Sequence, residues 1–342
     1  MAQVAEAIGL YPVRLLPEDR VFLVKPGEDV LTAGLRQGID LRYGCRHGKC
    51  TSCKYVVLEG DVVLDGASPY AFSDRELEEG GVLLCSTFAR SPLVISPFGN
   101  QPVTAESDLI PPEARRAGVV SIRPVSAELV EVTLQLDAPL RYRPGQYVEI
   151  EVPGRLERRS YSVANPPLSD GVLSLLVNGR HRRVLDALAA IGTDDGVGVL
   201  GPFGRLHLRP SARPVLMVAA GAGLAPLLAI LREIRAGAAS PPGIVLYHGA
   251  GPGGLPYPDE IRGLAGETCG FRLVAVEGTG TSPVGRLRTL VRRIGHDVGD
   301  ASGHDAYVAG SPALCDAITA LLSAKGLPER RIFAERFYAV SS

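Results

Sequence analysis

The chain has 342 residues, six cysteines, 46% hydrophobic and 21% charged residues, and a formal charge of −1. So few thiols in so long a chain exclude a disulfide-stapled scaffold, and the balanced charge leaves no basic footprint for nucleic acid. The opening MAQVAEAIGL carries Glu6 and no long apolar run, so no secretory signal is expected, and the thiols of a cytoplasmic protein stay reduced and open to metals.

In chain order, residues 11–98 form the first expected domain. Short strand-like runs at 21–24, 55–58 and 82–85 surround a helix predicted over Val30–Arg36, which describes a small mixed α+β unit. It contains Cys45, Cys50 and Cys53, spaced C-x4-C-x2-C, with Cys85 following after 31 further residues. That spacing is the plant-type [2Fe-2S] pattern, in which three thiolates come from one tight loop and the fourth from elsewhere. Zinc knuckles more often pair two short clips, and a structural zinc site remains the alternative. Gly44 and Gly48 permit the unusual dihedrals of a loop whose N–H groups point inward, and Arg46 and Lys49 offset negative charge. Cys269 and Cys315 have no nearby partner and are expected to be small buried hydrophobes.

Residues 99–114 are expected to be a linker, inside a stretch (96–116) with four prolines and little apolar periodicity. Over 115–210, strand-like runs at 129–134, 147–152, 173–177 and 197–200, with one helix predicted near 184–191, suggest an antiparallel β-barrel. Residues 211–342 alternate strands (215–219, 244–247, 271–276, 306–309) with helices (286–294, 312–325), the signature of a parallel α/β sheet. The last helix is punctuated by Ser311 as N-cap, Pro312 at its first position and Gly326 at its stop. Residues 214–231 lack charge for 18 positions, but Gly221 and Gly223 split them into a strand and a helix, each too short to span a bilayer.

Three stretches carry a resemblance to known families. The cysteine pattern resembles plant-type ferredoxins, which implies a β-grasp domain with a [2Fe-2S] cluster on Cys45, Cys50, Cys53 and Cys85. Arg159-Ser160-Tyr161-Ser162 resembles the R-x-Y-S flavin motif of the ferredoxin-NADP reductase superfamily. That implies Arg159 on a pyrophosphate, Tyr161 against the isoalloxazine and Ser162 near flavin N5. Gly201, Pro202 and Gly204 resemble the same family's G-P-x-G turn. The phosphate turn departs from its pattern: Asn178-Gly-Arg-His-Arg-Arg-Val184 lacks the usual hydroxyl, so Arg180, Arg182 or Arg183, or the backbone alone, takes its place. FAD is favoured over FMN from the domain order.

Gly221-Ala-Gly223-Leu-Ala-Pro226 is similar to the superfamily's G-x-G-x-x-P nicotinamide signature, whose glycines let a pyrophosphate approach a helix N-terminus. After the next strand no Arg or Lys occurs before Arg262; a ribose 2′-phosphate calls for a cation there, so NADH is expected. Gly310 stands in Ala309-Gly-Ser-Pro312, where relatives show C-G-P-P, so no thiol role is carried over. Glu335 and Phe337 resemble the E-K-F end of oxygenase reductases beside the flavin.

The order ferredoxin, flavin barrel, nicotinamide domain resembles the reductase components of bacterial multicomponent oxygenases. It implies an NADH-dependent oxidoreductase that passes electrons through FAD and a [2Fe-2S] cluster to an oxygenase component, most simply a di-iron monooxygenase hydroxylase. A Rieske dioxygenase partner is the runner-up, a deoxysugar-pathway partner the third, and a flavin reductase with a zinc-stabilised N-terminal interaction module the alternative of another class. No side chain is expected to act as catalytic acid or base, His181, His207, His248, His296 and His304 included. A monomer independent of membranes is expected, docking its partner through Arg46, His47, Lys49 and the acidic segment 74–79.

Overall fold

The computed structural model describes residues 9–99, 109–151, 158–168, 170–191, 196–237, 241–251, 254–267, 270–277 and 283–338. Residues up to Pro112, together with the chain from Tyr338 on, fall in one compact unit and Glu113–Phe337 in a second.

The first unit is built on strands β1 (Tyr11–Leu15) and β2 (Arg20–Val24), helix α1 (Val30–Arg36), β3 (Lys54–Glu59), β4 (Val62–Leu64), helix α2 (Asp74–Glu78), β5 (Gly81–Leu83), β6 (Thr87–Ala89) and β7 (Leu93–Pro97). The main sheet runs β2-β1-β7-β3-β5, with β1 and β7 parallel and its other pairs antiparallel, the grasp topology expected. Helix α1 starts where Asp29 accepts from the Thr32 N–H, and its residues Val30 to Leu35 are buried. Such a cap replaces one of the bonds a helix start lacks.

Two expectations for this unit change. Cys85 does not sit in a strand: β5 stops at Leu83 and a 3₁₀ turn, Leu84–Ser86, carries the thiol. The turn pulls Cys85 out of the sheet's alternation, toward the cysteine loop. The proline-rich stretch also hides a strand at its end, since β8 begins at Glu113; its prolines, Pro111 and Pro112, precede the strand and leave its ladder intact.

The second unit has two sheets. Strands β8 (Glu113–Pro124), β9 (Leu129–Leu136), β10 (Tyr147–Glu151), β11 (Arg158–Ser162), β12 (Val172–Asn178) and β13 (Val197–Phe203), with helix α3 (Arg182–Ala189), form an antiparallel sheet of order β11-β10-β13-β8-β9-β12. Its two outer strands meet where Val163 bridges Leu175 and the Ala164 N–H donates to the Ser174 carbonyl at 2.7 Å, so the sheet curls back on itself.

Next come β14 (Val215–Ala220), α4 (Leu224–Arg235), β15 (Ile244–Ala250), α5 (Pro258–Glu267), β16 (Phe271–Glu277), α6 (Pro283–Asp297), β17 (Asp305–Gly310), α7 (Pro312–Ala324) and β18 (Ile332–Arg336). Their sheet is parallel, in the order β16-β15-β14-β17-β18. The uncharged run is thus the six-residue strand β14, a three-residue turn and residues 224–231 of the twelve-residue helix α4, a part that is buried throughout, and the charged residues of α4 lie beyond it. No helix among the described residues is long and apolar enough to cross a membrane.

One core joins the two sheets. Ala164, Leu176 and Leu206 of the barrel pack with Met217, Leu227 and Ile230. Arg232 of α4 donates to the Ala164 carbonyl at 2.8 Å and grips Glu260 through two bonds of 2.7 and 2.8 Å, and Tyr257 donates to buried Glu131 at 2.7 Å.

Candidate functional site

In the first unit the four cysteines come together as two pairs. Cys53 and Cys85 have sulfurs 3.4 Å apart, and Cys45 and Cys50 face each other across the loop, the Cys45 N–H donating to Cys50 Sγ at 3.1 Å. Among the described residues no three Cys, His, Asp or Glu converge on one metal position; each pair offers two thiol donors. The His47 N–H donates to Cys45 Sγ at 3.4 Å, and the Lys49 and Gly48 backbones turn toward Cys45 and Cys85. This concave nest of N–H groups suits an anionic cluster. It is possible because Arg46, Gly48 and Thr51 have left-handed backbones, with φ of 59°, 69° and 56°.

The glycines leave no spare room. A Cβ at Gly44 would lie 2.9 Å from Cys50 Sγ, and one at Gly48 would lie 2.4 Å from the Gly66 carbonyl oxygen. The Cys45 thiol, its N–H and Ser52 hold the Cys50 thiol down to about 5 against the opposing effect of burial. Cys53 likewise holds Cys85 down, helped by the Gly48 backbone and by Arg46. The same contacts, with burial, push Cys45 and Cys53 up, so it is the donor set itself, four soft thiols in two pairs, that fits a thiolate-binding group.

Arg46 does not belong to an outer docking rim. It is buried, and its guanidinium donates to Thr32 Oγ1 at 2.9 Å, while Thr32 donates to Asp29 at 2.5 Å. The cysteine loop is thereby tied to the start of α1. In the acidic segment, Ser73 and Glu76 form a capping box, and Glu76 is engaged by Lys54 at 2.7 Å, leaving Asp74 and Glu78 exposed along with Lys49.

In the second unit the Arg-Ser-Tyr-Ser stretch lies within strand β11. Burial rises along the strand: Arg158 is exposed, Arg159 and Ser160 are partly open, and Tyr161 and Ser162, on opposite faces, are both buried. Opposite lie Tyr147, which pairs with Ser162, and the turn Gly201-Pro202-Phe203-Gly204. Rings of Tyr147 and Phe203 are 5.8 Å apart. A Cβ at Gly204 would stand 2.9 Å from Tyr147 and 3.0 Å from a carboxylate oxygen of Glu335 on β18, so the far end of the chain and the barrel turn meet at one place.

Gln146, which stands in no sequence motif, holds this place. It donates to the Gly204 carbonyl at 3.0 Å and accepts from the Arg143 N–H at 2.8 Å, and its own carbonyl receives the Val163 N–H. Partial burial, and then the charge of Arg159, lower the pKa of His181; Arg159 thus sits close to the start of α3. No side chain caps that helix start, and Arg180, Arg182 and Arg183 around it are exposed. An anionic group fits between Arg159 and this first turn.

Gly221 and Gly223 lie at the carboxyl end of β14, and Gly310 at that of β17, where the strand order reverses; this is where open parallel sheets bind ligands. Gly221 has φ of 55°. Gly223 packs so tightly that its Cβ would stand 2.1 Å from the Ala309 carbonyl oxygen, and a Gly310 Cβ 2.8 Å from Leu314. Pro226 lies in the first turn of α4, and Ser311 caps α7 by accepting from the Leu314 N–H. Phe337 donates its N–H to the Gly310 carbonyl at 2.7 Å, which places the tail beside this turn.

His248 on β15 is buried, its ring pushed down to about 4 by that burial. Cys315 is buried with its thiol pushed up to about 12 by desolvation, as a small buried hydrophobe; Cys269 lies outside the described residues.

One side of the crevice differs from the expectation of no cation. The β8–β9 turn carries Glu128, whose carboxylate reaches Gly251 just beyond β15, close enough that a Cβ there would be 2.0 Å from one oxygen. Arg286 of α6 binds the other oxygen at 3.3 Å. Neither residue is near Gly251 in sequence, so no local signal pointed to them.

Residues 13–90 match the model of the 2Fe-2S iron-sulfur cluster binding domain. The chain is 33% identical over 341 residues to the reductase component of propane 2-monooxygenase from Rhodococcus jostii, covering 94% of this chain and 90% of that one. It is also 33% identical to the reductase component of phenol 2-monooxygenase from a Pseudomonas species, covering 97% and 95%. Among solved structures it is similar to a cytochrome P450 reductase of Amycolatopsis, with a TM-score of 0.80, 30% identity and coverage of 96% and 98%.

Proposed function

This chain belongs to the family of reductase components of multicomponent oxygenases, and from that premise we propose that it draws electrons from NADH through FAD and a [2Fe-2S] cluster to a di-iron monooxygenase hydroxylase. The observation that carries the reading is the paired arrangement of Cys45 with Cys50 and Cys53 with Cys85, in a chain whose other unit has an Arg159-to-Ser162 strand and a glycine-lined crevice. Kinship with propane and phenol monooxygenase components supports the choice of acceptor. The thiols call for a reducing compartment, so the cytoplasm is the proposed location.

When bound, the flavin converts a two-electron donor into single electrons and the cluster passes them outward. The chain's work is positional. Gly221, Gly223 and Pro226 admit a pyrophosphate to the start of α4, and Gly310 shapes the neighbouring wall for the nicotinamide. Arg159 and the uncapped turn of α3 hold the flavin phosphates, with backbone N–H groups taking the place of the missing hydroxyl. Tyr161 and Ser162 would orient the flavin, with Ser160 beside them on the strand, and Gly201, Pro202, Gly204, Glu335 and Phe337 would help hold it. Cys45, Cys50, Cys53 and Cys85 hold the cluster, and buried Arg46 offsets its charge. Lys49, His47 and exposed Asp74 and Glu78 offer the acceptor a mixed-charge rim.

Purified protein tests this directly. Flavin and [2Fe-2S] absorption together, with an EPR signal after anaerobic NADH addition, are required; a colourless N-terminal part holding stoichiometric zinc overturns the reading. Reconstituted turnover with di-iron hydroxylases, set beside Rieske and P450 oxygenases, decides the acceptor.

A further inference from the structure

We propose that Glu128, carried by the flavin barrel rather than by the dinucleotide sheet, reads the adenosine ribose and selects NADH over NADPH. The inference rests on the reading of the chain as a nicotinamide-dependent reductase. In parallel sheets of this type, an acidic residue at the end of the second strand hydrogen-bonds the ribose 2′-hydroxyl. Here the second strand, β15, ends in Gly249-Ala250-Gly251 and supplies no carboxylate of its own. The vacant role is filled from outside: the Glu128 carboxylate lies against Gly251, with one oxygen 2.0 Å and the other 2.9 Å from where a Cβ would be. Only a residue without a side chain allows that approach.

The backbone of Glu128 fixes its position. Its carbonyl accepts from the Gly179 N–H at 2.8 Å in the turn before α3, and its N–H is within 3.3 Å of Ser126 Oγ. Glu128 therefore spans from the flavin phosphate turn to the ribose end of the crevice.

Arg286 completes the device. Its guanidinium lies 3.3 Å from Glu128 Oε1, and both side chains are largely buried, at 19% and 24% exposure. A ribose hydroxyl can donate to the carboxylate. A 2′-phosphate would instead meet a fixed negative charge, and the cation described beside it, Arg286, is already engaged by that carboxylate; like charges at close range are costly. Removing the charge of Glu128 both lifts the repulsion and releases Arg286 to a phosphate.

The test compares the full-length flavoprotein with Glu128→Gln, Arg286→Gln and the double variant, using ferricyanide as acceptor. Glu128→Gln should raise the NADPH-to-NADH ratio of kcat/KM about tenfold or more, each factor of ten being about 1.4 kcal/mol, and the added Arg286→Gln should erase that gain. Calorimetry with 2′,5′-ADP and 5′-AMP gives a readout free of electron transfer: 2′,5′-ADP should bind more tightly to Glu128→Gln and 5′-AMP no more tightly. An unchanged ratio and unchanged 2′,5′-ADP affinity, in a variant that still reduces ferricyanide, overturn the assignment of Glu128 alone. Reduction of the unaltered protein by neither dinucleotide would overturn the reductase reading, and this inference with it.

Discussion

The cysteine loop and the dinucleotide crevice solve the same problem, holding a negatively charged group, by opposite means. Around Cys45 to Cys53 the chain commits side chains: three sulfurs of the loop and that of Cys85 face one another in two pairs, and the N–H groups of residues 45 and 47 support them. At the ends of β14, β15 and β17 it withdraws side chains, and Gly223 and Gly251 exist so that backbone or a distant carboxylate can come close. A site made of side chains announces itself in sequence. One made of their absence is completed by whatever the fold brings alongside.

Predictions can break or sharpen this contrast. The largest effect is expected for Cys50→Ser, which should abolish electron delivery to any protein acceptor while NADH-to-ferricyanide activity stays largely intact; equal loss of both would mean the two regions are not separable. Next come paired glycine substitutions. Gly223→Ala forces a methyl group into the Ala309 carbonyl and should cost about 3 kcal/mol or more, as overpacking against backbone does, with dinucleotide use lost and the cluster spectrum kept. Gly48→Ala, where a Cβ would meet the Gly66 carbonyl oxygen at 2.4 Å, should do the reverse, with cluster absorption falling first.

A graded effect follows from His248. Folded, its ring stays neutral down to about 4, whereas an unfolded histidine takes up a proton near 6.5. Protonation therefore favours the unfolded chain, and stability should fall as pH drops through this window, by up to about 3 kcal/mol. Urea midpoints at successive pH values read the slope, and His248→Phe should flatten it; an equal slope in the variant would place the acid sensitivity elsewhere. The smallest effect is expected at Arg46→Gln, which removes a buried positive charge and should lower the cluster's reduction potential without displacing the cofactor, as redox titration followed by EPR would register.

What was legible in the sequence follows from this contrast. The x4-x2 spacing of the cysteines and the strand-turn-helix at Gly221 were local patterns, and α1 and α7 carried their caps, Asp29 and Ser311, in plain view. Helix α5 carries a weak signal: among its described side chains only Ile261 and Leu264 are buried apolar positions, and it includes Gly263. The start of β8 was masked by its preceding prolines. Arg46 was misplaced to the surface, since a cation beside a cysteine loop looks solvated until Thr32 is found under it. Glu128 and Arg286 are separated by 158 positions, and nothing short of the folded chain could pair them.

The core shared by barrel and parallel sheet bears on how such reductases can be recombined. Cutting near Pro210 would strip Leu227 and Ile230 from Ala164, Leu176 and Leu206 and strand Arg232 without the Ala164 carbonyl, exposing apolar surface on both fragments. A junction between Pro97 and Glu113 cuts neither sheet. Chimeras meant to redirect electrons to a new oxygenase should therefore exchange everything before Glu113 as one cassette and treat the remainder as an indivisible power supply.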